Sequence, residues 1–116
     1  MPADDQGLLD LLTRVAACKE DLQDIGLVLR GSVVERYMPC GKKGCRCQAD
    51  PAALHGPYYQ WTRKVGGKTQ TIRLRPEEAK LYVEWIASRR HLEAVIARWE
   101  ALGLEAAELI RLKPRP

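Results

Sequence analysis

Tyr58-Tyr-Gln-Trp-Thr-Arg-Lys-Val65, Gly66-Gly67 and Lys68-Thr-Gln-Thr-Ile-Arg-Leu-Arg75 form the stretch that decides the fold. Two runs of strand-forming residues flank a Gly-Gly pair, and glycines accept the positive φ that a tight hairpin turn needs at both central positions. That turn fixes the register. Val65 faces Lys68, Arg63 faces Gln70, Trp61 faces Ile72 and Tyr59 faces Leu74, which gives one mainly apolar face. On the other face Lys64 meets Thr69, Thr62 meets Thr71, Gln60 meets Arg73 and Tyr58 meets Arg75. This second face carries hydroxyls, an amide, one ring and three cations, and no acid.

Upstream, Gly31 opens a further extended run, Ser32-Val-Val-Glu-Arg-Tyr-Met38. β-branched and aromatic residues dominate it, and Pro39 ends it, so it is expected to be a third strand. Between this run and the hairpin lie Cys40-Gly-Lys-Lys-Gly-Cys45-Arg-Cys47 and His55-Gly-Pro-Tyr-Tyr59. Cys40, Cys45, Cys47 and His55 are the donor set of a closed, structural Cys3His zinc site. Gly41 and Gly44 let the backbone turn tightly, while Lys42, Lys43 and Arg46 favour the thiolate that ligates. The spacing C-x4-C-x-C-x7-H departs from paired C-x2-C knuckles, and its C-x-C pair is strained as a double chelate. Reduced cysteines that only pack are the competing reading. A nucleophilic Cys–His pair would need a third, orienting group, and none is in view. Asp50-Pro51 reads as a turn.

Leu8, Leu11, Val15, Cys18, Leu22, Ile25 and Leu29 recur at alternating spacings of three and four, the seam of a helix lying along another helix. Asp4 and Asp5 suit its start, and it is expected to stop between Asp24 and Arg30. Cys18 reads as a small core residue. Pro76-Glu77-Glu78 starts a second long helix, with proline first and acids in the first turn. Its seam is Leu81, Trp85, Ser88, Leu92, Val95, Trp99 and Leu102, about 40 Å from Pro76 to Leu102. Gly103 is the expected C-cap, with a short helix and tail over 104–116. His91 flanks the seam and is expected to face solvent.

The expected architecture is α+β: two long antiparallel helices flanking a three-stranded antiparallel sheet with a cysteine-rich loop. One domain spans 1–116, divided into a helix over 8–29, a basic β/cysteine module over 31–75, a helix over 76–102 and the C-terminal piece. The rival arrangement pairs the helices between two chains, as a homodimer. With 116 residues, 46% apolar and 29% charged, the chain has the composition of one soluble domain. No apolar run is long enough to span a membrane, and the acidic opening is unlike an export signal. A cytoplasmic setting with reduced thiols is the expectation, which favours metal over disulfides.

The net charge of +4 is unevenly spread. From Arg30 to Arg75 ten basic residues stand against Glu35 and Asp50, a net +8, while the rest of the chain nets −4. Positive charge concentrated in the middle third points to a polyanion, with DNA foremost. Lys42, Lys43, Arg46, Lys64, Arg73 and Arg75 are the candidate phosphate contacts. Tyr58 is a candidate for base stacking, and Gln60, Thr62 and Thr71 for base edges or simply a wet strand face. No catalytic constellation is present, so a non-enzymatic nucleic-acid-binding protein is expected. The alternative is a coiled-coil adaptor that dimerises or holds a protein partner.

Through Leu29-Arg-Gly-Ser-Val-Val-Glu-Arg-Tyr37, Cys40 to Cys47 and His55-Gly-Pro-Tyr-Tyr59, the chain resembles a family of small prokaryotic domains of unknown function. The resemblance runs from about Leu8 to Leu102. Members are often found near transposases and other mobile elements, which implies an accessory or regulatory role there. In layout alone, Tyr58–Ala79 is also similar to the sheet-plus-helix arm domains with which tyrosine recombinases bind DNA.

Overall fold

The hairpin pairs in the register the sequence dictates. In the computed structural model, which describes residues 3–50 and 53–114, β2 (His55–Val65) and β3 (Lys68–Leu74) match at all seven positions from Tyr59↔Leu74 to Val65↔Lys68. Gly66 and Gly67 carry the positive φ values, 58° and 81°, that the turn requires. β1 (Ser32–Met38) lies antiparallel on the other side of β2, so the sheet order is β1-β2-β3. The expected turn at Asp50-Pro51 and the end of the tail lie partly outside the described residues, as do the side chains of Asp4 and Asp5.

Two helices complete an α+β fold: α1 (Ala3–Leu22) and α2 (Pro76–Arg111). α1 stops earlier than its seam suggests. Ile25 and Leu29 lie past its end, and the Leu29 N–H is donated to the Trp85 carbonyl at 3.1 Å. α2 is longer than expected, 36 residues or about 54 Å. Gly103 does not cap it and has no left-handed backbone; the short helix expected after it is the continuation of α2 as far as Arg111. A single glycine costs a helix only about 1 kcal/mol, and Leu104-Glu-Ala-Ala-Glu-Leu109 are strong helix formers that outweigh it.

The chain divides into two compact units. The first joins the segment up to Leu27 with the segment from Ser88 onward. Within it Leu11, Cys18, Val95 and Leu102 are buried, with Leu8, Val15, Leu22, Trp99, Ala106 and Leu109 packed around them. Partners descend along α2 as α1 ascends: Gly7 lies against Leu109, Arg14 pairs with Glu105 at 3.1 Å, and Asp21 pairs with Arg98. The helices are therefore antiparallel, with Cys18 in their core as its seam position requires. His91 is exposed, as expected, with Nε2 3.3 Å from the Asp21 carbonyl.

The second unit, Val28–Ala87, holds the sheet, the cysteine loop and the first turns of α2. Its core is Trp61, Leu74, Ala79 and Ile86, with Leu29, Val33, Tyr59 and Tyr82 against them. Here the α2 face differs from the expected seam. Leu81 is 47% exposed, whereas Ala79, Tyr82 and Ile86, spaced three and four, face the sheet. Trp61 is the hub. Its indole N–H is donated to the Arg30 carbonyl at 2.8 Å, and Tyr82 meets it edge-on with centroids 5.2 Å apart. Gly31 sits so close that a Cβ there would lie 2.4 Å from the Thr62 carbonyl oxygen.

Candidate metal centre and basic sheet face

Strand pairing assembles the metal-ligand candidates. Arg36 stands opposite Tyr58, but Met38 stands opposite His55, so β2 spends three steps where β1 spends two. This one-residue bulge runs through Gly56-Pro57, where a Cβ on Gly56 would sit 2.7 Å from the Arg36 carbonyl oxygen. It delivers His55 beside Met38, two residues before Cys40. The loop then doubles back: Gly44 adopts φ 83°, the Cys45 N–H is donated to the Lys42 carbonyl, and a 3-10 turn spans Arg46–Gln48. Cys45 is extended while Cys47 lies inside the turn, and this change of backbone direction relieves the C-x-C pair. The Gln48 side-chain amide donates to the Cys40 carbonyl and ties the two ends of the loop.

The outcome is a compact donor cluster. The ligating atoms of Cys40, Cys45, Cys47 and His55 all lie within 4.8 Å of one another, and no other such group occurs among the described residues. Cys47 Sγ is 3.4 Å from Cys40 Sγ, and Cys45 Sγ is 3.2 Å from His55 Nε2. A tetrahedral metal about 2.3 Å from sulfur and about 2.0 Å from nitrogen separates its ligands by roughly 3.5–3.8 Å. The four residues can therefore bind a metal ion with little movement.

Backbone N–H groups are aimed at the sulfurs. That of Cys40 is donated to Cys47 Sγ at 3.1 Å. The Cys45 thiol is brought down to about 6, first by the Cys47 backbone N–H and then by His55. Burial pushes the Cys47 thiol up to about 11. The sign is clear: in metal-free protein Cys45 is a thiolate above pH 6, whereas Cys47 stays a thiol through the neutral range. Alkylation of metal-free protein at pH 7 should therefore label Cys45 well before Cys47, as read by peptide mass spectrometry. Equal rates at both would mean that the loop gives up this geometry when the metal is removed.

The basic candidates divide. Lys42, Lys43 and Arg46 are exposed on the cysteine loop. Tyr58, Gln60, Thr62 and Lys64 alternate along the open face of β2, next to Thr71 and Arg73 of β3. Arg75 is a correction. It lies beyond the end of β3, so it does not pair with Tyr58; its backbone N–H and Nε are donated to Glu78 Oε1 at 3.0 and 2.9 Å. This is the reciprocal bond of a helix capping box, and it commits Arg75 to the start of α2. Arg36 is a residue that sequence reasoning missed. Its register opposite Tyr58 puts it on the same open face, a placement set by pairing to β2 and by no pattern within β1.

The open face then reads Ser32, Val34 and Arg36 on β1, Tyr58, Gln60, Thr62 and Lys64 on β2, and Thr69, Thr71 and Arg73 on β3. It has no acid. The ion pairs among the described residues use Arg14, Arg75, Arg89, Arg98 and Arg111, and none uses Arg36, Lys64 or Arg73. Arg73 instead lies over the Tyr58 ring, 4.0 Å from its centroid. Among the described residues, no helix is long and apolar enough to cross a membrane.

Comparison with known families matches residues 8–83 to a domain of unknown function (DUF6788), and the chain belongs to that family. No curated protein and no solved structure matches it.

Proposed function

We propose that this member of the DUF6788 family is a non-enzymatic, zinc-stapled protein that binds nucleic acid through its basic sheet face and cysteine loop. The observation that carries the proposal is the acid-free face on which Arg36, Lys64 and Arg73 stand without a carboxylate partner. Cations left unpaired on the face of the sheet turned away from the Trp61 core are available to phosphate oxygens. Lys42, Lys43 and Arg46 extend the same charge onto the loop. Zinc suits a set of three thiols and one imidazole, and a full set of protein ligands makes it a folding staple with no open position for chemistry. The likeness to domains encoded near transposases supplies a context, that of an accessory or regulatory factor of a mobile element.

Salt titration tests the binding. Six cations in contact with phosphate give a slope of log K against log salt of about −5, or a roughly thousandfold loss between 50 and 200 mM. In an Arg36→Ala/Arg73→Ala variant the slope should flatten by about 2. A protein that binds no nucleic acid even at low salt would return the molecule to the helix-pairing adaptor reading.

A further inference from the structure

We infer that the ligand of the open sheet face is the major groove of double-stranded DNA, in preference to single strands or duplex RNA. The inference rests on the nucleic-acid reading of that face and asks which form of nucleic acid the face fits.

Aromatic content speaks first. Proteins that hold single strands do so by stacking bases on exposed rings. Tyr58 is the one aromatic residue on this face, and the Arg73 guanidinium covers it. Trp61 and Tyr59 face the other way, into the core with Ala79 and Ile86. No platform is left for a row of unstacked bases.

The distribution of charge speaks next. Arg36 on β1 and Arg73 on β3 stand on the two outer strands, and Lys64 carries the charge along β2 to the hairpin end, about 20 Å from Tyr58 at 3.3 Å per residue. On the middle strand, between the outer cations, lie Gln60 and Thr62, neutral groups that donate and accept hydrogen bonds. Cations at the rims and neutral polar groups at the centre match a groove, where phosphates line the edges and base edges form the floor. A smooth basic track with no polar centre would match a backbone alone. Resting over Tyr58 also fixes the Arg73 fork before a phosphate arrives, so less freedom is lost on binding.

Width selects the groove. Three strands about 4.8 Å apart span about 10 Å between outer backbones. The major groove of B-form DNA is about 12 Å wide and its minor groove about 6 Å. The major groove of duplex RNA is deep and too narrow for side chains to read. Gln60 has the bidentate geometry for the N6/N7 edge of adenine, and the methyl groups of Thr62 and Thr71 suit that of thymine.

The test uses the full chain with zinc bound and compares a 20-base-pair DNA duplex, the RNA duplex of the same sequence and the single DNA strand by fluorescence anisotropy. The DNA duplex should bind at least about tenfold tighter than either of the others. Methyl green, which occupies the major groove, should displace the protein, and netropsin, which fills the minor groove, should not. Equal or tighter binding of the RNA duplex or the single strand, or displacement by netropsin alone, would overturn the inference while leaving the basic face a nucleic-acid site. Absence of binding to all three would remove the broader proposal instead.

Discussion

Cys45→Ser should empty the metal centre and take with it most of the stability of residues 28–87. Purified parent protein should carry about one zinc per chain, and the variant close to none after dialysis. The loss follows from the loop's construction. Residues 40–48 bury only Cys47, so little apolar surface holds them in place once the metal–sulfur bonds are gone. Metal binding to a site absent from the unfolded chain is itself folding free energy. The whole of a small domain's stability is about 5 kcal/mol or somewhat more, and a large share of it should disappear in urea unfolding. Chelation of the parent should reproduce the effect. Cys18→Ala provides the contrast: that thiol packs between helices in the other unit, so the variant should lose packing and keep its zinc. A parent protein isolated without metal, melting at the same temperature as Cys45→Ser, would leave the thiols as packing residues only.

Trp61→Ala should be the most damaging substitution in the sheet core. Removing a buried tryptophan costs about 3–5 kcal/mol through lost burial and the cavity left behind. Here the side chain is 7% exposed, touches Tyr82 edge-on and reaches the Arg30 carbonyl through its indole N–H. Trp61→Phe separates these contributions. The ring contact is kept, but the Arg30 carbonyl loses its donor, at a cost of about 1–2 kcal/mol. Denaturant midpoints followed by circular dichroism should rank parent, Trp61→Phe and Trp61→Ala in that order. Equal losses in the two variants would mean that the hydrogen bond, and not the packing, is what Trp61 supplies.

Much of this was legible in the chain. Gly66-Gly67 sets one register, and each hairpin pair inside the strands follows from it. Three thiols and one imidazole within sixteen residues announced their own convergence. The α1 seam identified Leu11 and Cys18 as core because a single helix partner lies along it. Harder to read were places where one element serves two partners. α2 turns Ala79, Tyr82 and Ile86 to a sheet and Val95 and Leu102 to a helix, so one seam drawn through both misplaced Leu81. Gly103 looked like a stop because its cost was weighed alone, without the helix formers on both sides. Arg75 looked like the last strand residue because the capping bond from Glu78 competes with sheet pairing, and alternation carries no trace of that bond. Arg36 was hidden for the converse reason: its side of the sheet depends on how β1 meets β2.

The extra residue that β2 inserts at Gly56-Pro57 makes this protein sensitive to a kind of change that composition would not reveal. A bulge bends its strand and re-aims the side chains beside it, so removing one position between His55 and Tyr58 would leave His55 opposite Met38 but straighten the ladder and turn the imidazole away from the direction in which it meets the three sulfurs. A descendant chain carrying that deletion would retain every donor residue type and still fail to close the coordination sphere. Among relatives, the length of this short interval should therefore be a better guide to metal retention than the presence of the cysteines themselves.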